Sequence, residues 1–217
     1  KNSDLLDTDE ISQMKSVAGS LAWISRQARP DLAYRTSKVQ QLASTGKVSD
    51  IKWTNKVVKA ALESADQGIA FRSGIVDWTN LASIVCTDAS HACESAVGTT
   101  ASGQVKEEEH RSQGGRLQMI CCAQDIPQHN IGAHLIGFSS TTIKRVCRST
   151  IQAEAYQLTA GVEEGDRLRA AIADVFGKLD LKNWEISSSS FMPQIWFTDC
   201  RSVRDSLKRP VLAKMAD

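Results

Sequence analysis

The run Leu81–Ala92, LASIVCTDASHA, is the stretch around which the rest of the chain is organised. Its first half, Leu81 to Cys86, is rich in β-branched and apolar residues, the composition of a buried strand. Asp88 follows almost at once, flanked by Thr87, Ala89 and Ser90, side chains small enough to let another group approach closely. A carboxylate at the end of a core strand is costly unless it is paired, hydrated or bound to a metal. Taken alone, Asp88 is more simply the cap of a turn, so its role depends on what else the sequence brings to it.

A second run repeats the design. Gln194–Thr198, QIWFT, is an apolar stretch of strand type that ends at Asp199. Both IVCTDAS and IWFTDCR thus read as hydrophobic strand, Thr-Asp, then a small or polar residue. Between them, STIQAEAY places Glu154 near the start of a predicted helix. If the two strands are parallel neighbours, Asp88 and Asp199 emerge at the same end of the sheet, and a helix starting there adds Glu154. Three crowded carboxylates repel one another, and divalent cations resolve that repulsion. Mg²⁺ is the natural choice, a hard ion that takes oxygen ligands and keeps several waters. Thiols and imidazoles would select softer metals. Two such ions ~3.5–4 Å apart can activate a water and stabilise the leaving oxygen of a phosphodiester.

Outward from these runs, the first third of the chain is helical in pattern. Asp7 or Thr8 can cap a helix with Asp9 and Glu10 in its first turn, where they suit the dipole. Ile11, Met14, Ala18, Leu21 and Ile24 then give one apolar face. Arg29-Pro30-Asp31 interrupts it. Leu32, Thr36, Val39 and Ala43 mark a second helix, ended by Gly46. Ser49 can cap a third, with Trp53, Val57, Ala60 and Ala61 on one face. This block carries no catalytic constellation and reads as a packing or tethering element.

From Gly68 the character changes, and four runs read as strands: Ile69–Ser73, Leu81–Cys86, Leu117–Ala123 and Ala133–Ser139. The intervening SGQVKEEEHRSQGG, Ser102–Gly115, reads as a solvated loop, Glu107, Glu108 and Glu109 included. Helical period returns at Ser149 with Ala153, Tyr156, Ala160 and Glu163 or Glu164. A second helical run, Asp166 to Phe176, carries Leu168, Ala171, Ile172 and Val175 toward a core. Ser187–Ser190 reads as a flexible connection, and a last helix from Ser202 carries Val203 and Leu207.

The chain has 217 residues, 41% hydrophobic and 24% charged, enough for one good core plus an appendage or for two small domains. Its net charge of +1 gives no global sign of a nucleic-acid partner, so any such partner rests on local charge. No apolar run approaches the ~20 residues that span a bilayer. The polar, acidic start KNSDLLDTDE is not a signal peptide. Beginning at Lys1 and ending in KMAD, the sequence reads as a piece of something longer. Six cysteines, Cys86, Cys93, Cys121, Cys122, Cys147 and Cys200, form no C-x-x-C pair and read as reduced, buried thiols of an intracellular protein. A zinc site from His91 with Cys86 and Cys93 lacks the spacing such sites show.

The order Asp, Glu, Asp on strand, helix, strand resembles the ribonuclease H domain of retroelement polyproteins, in detail that of copia-type LTR retrotransposons. TDASHA is similar to the family's S-D-A-D-W-A, with Asp88 on the first Asp. FSSTTIKRVCRSTIQAEAYQL, Phe138–Leu158, aligns without a gap on W-x-S-K-K-Q-x-x-V-A-L-S-S-T-E-A-E-Y-x-A-L, with Glu154 on the second Glu. FTDCRSVRDSL resembles C-D-N-Q-S-A-I-x-L, and MKSVAGSLAWISRQARPDLAY resembles Y-R-x-x-V-G-S-L-x-Y-L-x-x-x-T-R-P-D-I-A-Y. The likeness runs from about Met14 to about Pro210. It departs at Ser90, where the family has a second Asp, at Gln152, which replaces its first Glu, and at Tyr156, one place late. The family's fourth metal-binding carboxylate lies in a segment largely past the end of this chain, with Asp217 as the nearest approach.

The resemblance implies an α/β fold: a ribonuclease H-like mixed sheet flanked by helices over 69–217, preceded by an all-helical segment over 1–68 that ends the reverse transcriptase connection. It implies hydrolysis of the RNA strand of RNA–DNA hybrids, with Asp88, Glu154 and Asp199 as catalytic residues holding two Mg²⁺ ions, for which Mn²⁺ can substitute. The implied partners are the hybrid and the rest of the Pol polyprotein, reverse transcriptase included, with no membrane. The implied setting is intracellular: cytoplasm, virus-like particle or nucleus. Lys144, Arg145 and Arg148 before Glu154, with Arg201 and Arg204 after Asp199, are the candidate phosphate contacts. His129 and His134 have no spacing that marks them as proton shuttles. An integrase would order its carboxylates Asp, Asp, Glu, unlike this chain. The competing expectation is a non-catalytic or decayed module that binds nucleic acid or braces a polymerase.

Overall fold

The computed structural model describes residues 4–43, 46–99, 105–128 and 130–208, of which 95–99 and 105–110 are described by backbone alone. It divides the chain into two compact units. The first comprises Lys1–Ile69, Ala92–Gln113 and Phe138–Val146; the second comprises Ala70–His91, Gly114–Gly137 and Cys147–Asp217.

Three helices dominate the first unit: α1 (Thr8–Gln27), α2 (Ala33–Leu42) and α3 (Val48–Glu63). Asp7 caps α1 by accepting from Glu10 N–H at 2.8 Å, while Glu10 returns a carboxylate oxygen to Asp7 N–H at 3.0 Å. Leu6, Met14, Ala18, Leu21, Val39, Ala43 and Val57 form the core beneath. Arg29 turns the break between α1 and α2 into a tie. Only 4% exposed, it grips Asp31 in a two-pronged contact at 2.9 and 2.8 Å. It also donates to the Ala61 carbonyl at 3.3 Å and the Ser64 hydroxyl at 2.6 Å. The hydrogen bonds from Arg29 to Asp31 hold the Asp31 carboxyl below its ordinary range. Two local expectations are corrected. Helix α3 starts before Ser49, because the Asp50 carboxylate receives Lys47 N–H at 2.9 Å. Its inward face carries Thr54 and Val57, leaving Trp53 outside.

The four-stranded mixed sheet has the order β3-β2-β1-β4, with β1 (Leu81–Thr99), β2 (Val105–Cys122), β3 (Ala133–Thr142) and β4 (Gln194–Thr198). Strands β1 to β3 each give one segment to either unit, and β4 lies wholly in the second. Strand β4 runs parallel to β1, with Val85 opposite Trp196 and Thr87 opposite Thr198. Val76, Leu81, Ile120 and Met192 form one core cluster, and Ala82, Ile84 and Cys121 another. Helices α4 (Thr150–Val175), α5 (Trp184–Phe191) and α6 (Arg201–Leu207) complete the chain. Among the described residues no helix is long and apolar enough to cross a membrane.

The sheet differs from the sequence pattern in instructive ways. Ile69–Ser73 is not a strand: Gly74 at φ +80° turns the chain just beyond it, and Phe71 sets its ring 5.4 Å from that of His134. Strand β1 does not stop at Cys86. Thr87 and Ala89 are buried while Asp88 and Ser90 are exposed, so the two-residue alternation of a strand continues through the small side chains. Much of the expected loop Ser102–Gly115 belongs to β2; its polar residues looked loop-like, yet Ser112 and Gln113 are buried. Positions 102–104 and the side chains of Glu107, Glu108 and Glu109 lie outside the described residues. The two helical runs after Ser149 are one helix, α4. Ser187–Ser190 lies inside α5, where Ser188 and Ser189 hydroxyls donate back to the Glu185 carbonyl at 3.4 and 2.7 Å. Ala171 and Val175, expected to face a core, are exposed, and Leu207, expected on one face with the buried Val203, is exposed as well, as is Cys93 among the six free cysteines.

Candidate metal centre

Each acidic residue is delivered by a different element. Thr87 and Thr198 are paired across β1 and β4, so Asp88, within the long strand β1, and Asp199, just past the end of β4, come to the same level of the parallel pair. Thr198 also shapes the turn after β4, its hydroxyl accepting Cys200 N–H at 3.1 Å. Glu154 comes from the first turns of α4, whose start is fixed by Ser149. The Ser149 hydroxyl accepts Gln152 N–H at 3.3 Å, and Gln152 accepts Arg148 N–H at 2.7 Å. Gln152, which replaces an acidic residue of the family pattern, is therefore occupied at the helix cap, and its amide also donates to Tyr156 Oη at 3.3 Å.

Helix α4 reaches the sheet on a face other than the one its hydropathy suggested. The buried stripe is Ala153, Glu154, Gln157, Leu158, Gly161 and Gly165, rather than one through Tyr156 and Glu163 or Glu164. The glycines make this possible. A Cβ at Gly161 would lie 2.5 Å from Thr87 Cγ2, and one at Gly165 would lie 2.8 Å from Val85 Cγ2. Glycine in a helix interior costs stability, and here the backbone approach offsets it. The four-residue spacing of Gly161 and Gly165, in step with Glu154, was the signal in the sequence for this contact.

Ligand oxygens of Asp88, Glu154 and Asp199 all lie within 4.8 Å of one another. Asp88 and Asp199 are exposed, whereas Glu154 is 5% exposed. One Glu154 oxygen, Oε1, accepts Ala89 N–H at 3.2 Å; the other, Oε2, is buried with no hydrogen-bond partner. Burial pushes the Glu154 carboxyl up, the Ala89 N–H opposes this, and the charges of Asp88 and Asp199 add to the rise. A buried acceptor without a donor, facing two further carboxylates, fits a cation that supplies the missing positive charge. All-oxygen ligands match Mg²⁺ or Mn²⁺.

The other candidates are placed differently. Lys144 and Arg145 fall in the first unit, where both are exposed. Arg148, Arg201 and Arg204 are exposed on the second, with Arg201 and Arg204 directed at Asp205 at 3.4 and 3.3 Å. His134 is buried in β3 beside Phe71, a core position. His91 Nε2 donates to the Cys147 carbonyl at 3.0 Å and is engaged there rather than with Cys86. His129 and Asp217 lie outside the described residues. No protein-family model, no curated protein and no solved structure matches this chain.

Proposed function

We propose that the chain carries a two-metal endonuclease of ribonuclease H type, hydrolysing the RNA strand of RNA–DNA hybrids during retrotransposon reverse transcription as part of a Pol polyprotein. The observation that carries this reading is the clustering of Asp88, Glu154 and Asp199, in which Glu154 keeps one buried oxygen without a hydrogen-bond partner. The chain order Asp, Glu, Asp supports it further, because an integrase places its glutamate last.

Asp88, Glu154 and Asp199 would hold the ions, which supply water activation and charge stabilisation at a phosphodiester. The chain's own groups prepare that centre. Ala89 N–H fixes one oxygen of Glu154 and leaves the other for a ligand. Parallel pairing of β1 with β4 holds Asp88 and Asp199 at a common level. Their exposure leaves the outer side of the cluster open to a phosphate and to water. Discrimination of RNA from DNA would come from the 2′-hydroxyl and helix shape rather than from base edges.

The test uses an end-labelled RNA strand annealed to DNA. With Mg²⁺ or Mn²⁺ the chain is expected to cut the RNA strand of the hybrid and to leave the DNA strand and single-stranded RNA intact. Asp88→Asn is expected to abolish cutting. Cleavage that persists undiminished in Asp88→Asn would overturn the assignment of the site.

A further inference from the structure

One turn along α4 from Glu154, on the same face, lies a buried amide. Gln157 is 4% exposed and sits about 4.5 Å farther along the helix axis. Its Nε2 donates to the Gly115 carbonyl of β2 at 3.0 Å. Gln157, Gly114, Gly115 and the three carboxylates all belong to the second unit.

The backbone of β2 is cleared for that amide. A Cβ at Gly114 would lie 2.0 Å from Gln157 Oε1 and 2.5 Å from its Cδ. Gly114 lies outside the left-handed region, so the chain needs glycine here for room rather than for a turn. Gly115 in turn lies against Asp88: a Cβ there would stand 3.9 Å from the Asp88 carbonyl oxygen. Helix α4 is thus fastened to two adjacent strands beside the carboxylates. Glu154 Oε1 accepts Ala89 N–H of β1 at 3.2 Å, and Gln157 donates to β2. With neighbouring strands ~4.8 Å apart, two such points stop a helix from turning about its own axis, which a single point allows. The two points are not equivalent. The Ala89 contact draws on the same carboxylate that a metal would use, whereas the Gln157 bond holds the helix without spending a ligand oxygen.

We infer that Gln157 is a positioning residue of the metal centre: its bond to Gly115 holds α4 in the rotation that presents Glu154 to Asp88 and Asp199. The inference rests on the carboxylate cluster being a metal site and requires nothing of the substrate.

The test measures Mn²⁺ binding to the full chain by water-proton relaxation without substrate, with Mg²⁺ activation of hybrid cleavage measured beside it. Gln157→Met keeps the bulk of the side chain and removes the donor, and its Mn²⁺ dissociation constant is expected to rise by about 10-fold. The Mg²⁺ concentration for half-maximal cutting should rise by a like factor, with a smaller fall in the rate at saturating metal. A merely structural role would lower the folded fraction, and so the amplitude of Mn²⁺ binding, without moving its midpoint. Gly114→Ala drives a methyl into the amide. It should raise the dissociation constant similarly in the wild type and add little in Gln157→Ala, where the space is vacant. The Mn²⁺ titration decides the inference even where the hybrid is not cut. Wild-type Mn²⁺ affinity in Gln157→Met, with binding lost in Asp88→Asn, would overturn the inference and leave the metal site standing. Binding unchanged in Asp88→Asn would overturn both.

Discussion

Two glutamates of this chain are buried to nearly the same degree, Glu94 at 2% exposed and Glu154 at 5%, yet their surroundings are opposite. Glu94 is matched on both oxygens: Tyr34 donates its hydroxyl at 3.0 Å to one, and the Lys38 ammonium meets the other. Glu154 has a single backbone N–H, one bare oxygen and two carboxylates for neighbours. Burial by itself therefore says little about role. A compensated carboxylate is part of the packing, whereas an uncompensated one held in place by the fold has room for a ligand of opposite charge.

The sharpest way to break the comparison is to neutralise each glutamate in turn. Glu154→Gln is expected to lower hybrid cleavage by about 10³-fold or more, since the carboxylates act as a unit. Its unfolding free energy in metal-free buffer should stay level or rise, because a repulsive charge has been removed. Glu94→Gln should do the reverse in stability, costing about 1–3 kcal/mol by leaving Lys38 without its counter-charge, a figure reduced because Lys38 is partly solvated. Urea unfolding of both variants decides this, and a larger loss of stability in Glu154→Gln than in Glu94→Gln would reverse the two roles.

Next in size is the contact that brings Glu154 to the sheet. Gly161→Ala places a methyl 2.5 Å from Thr87 Cγ2 and 3.0 Å from Val85 Cγ1. An expected cost of about 1–3 kcal/mol from overpacking should appear as a lower urea midpoint. The same variant should lose affinity for Mn²⁺ by paramagnetic titration, because α4 must back away from β1. An unchanged midpoint would show that α4 packs elsewhere.

The smallest effect is a slope. Glu154 has its carboxyl raised, so the folded metal-free protein binds that proton more tightly than the unfolded chain does. Stability of the metal-free protein should therefore fall as pH rises from the ordinary glutamate value through the raised one. Asp31 has the opposite sign: lowered by Arg29, it contributes stability above the ordinary aspartate value that is lost as pH falls through the folded one. Denaturation series in chelator across the acid range should show the Glu154 slope disappear in Glu154→Gln, while the Asp31 slope persists.

Much of the candidate site was legible because its signals are local. A hydrophobic strand, Thr-Asp and a small residue occur twice, and Ser149 with Gln152 three positions on announces the start of α4. The paired strands and capped helix then deliver the three carboxylates as the order along the chain suggested. What escaped was non-local. Ser112, Gln113 and Gly114 look like loop residues until their partners are known; Gln113 is buried because Ser37, Ser140 and Thr142 satisfy its amide. The inward face of α4 escaped for a related reason. Beside Ala153 and Leu158, its buried positions include glycine, glutamate and glutamine, which hydropathy places outside and which the closeness of β1 makes core.

The length of β1 has a bearing on how this site tolerates change. Asp88 lies within the strand, after the buried run Leu81–Val85 and between the buried Thr87 and Ala89. Its outward aim is therefore a matter of parity, counted along the strand from residues that carry no chemistry. Many side chains of β1 can be exchanged for others of like size without moving Asp88. Insertion or removal of one residue between Leu81 and Asp88 would turn the carboxylate to the opposite face and leave Glu154 without its neighbour, although all three acidic residues were still present in the sequence.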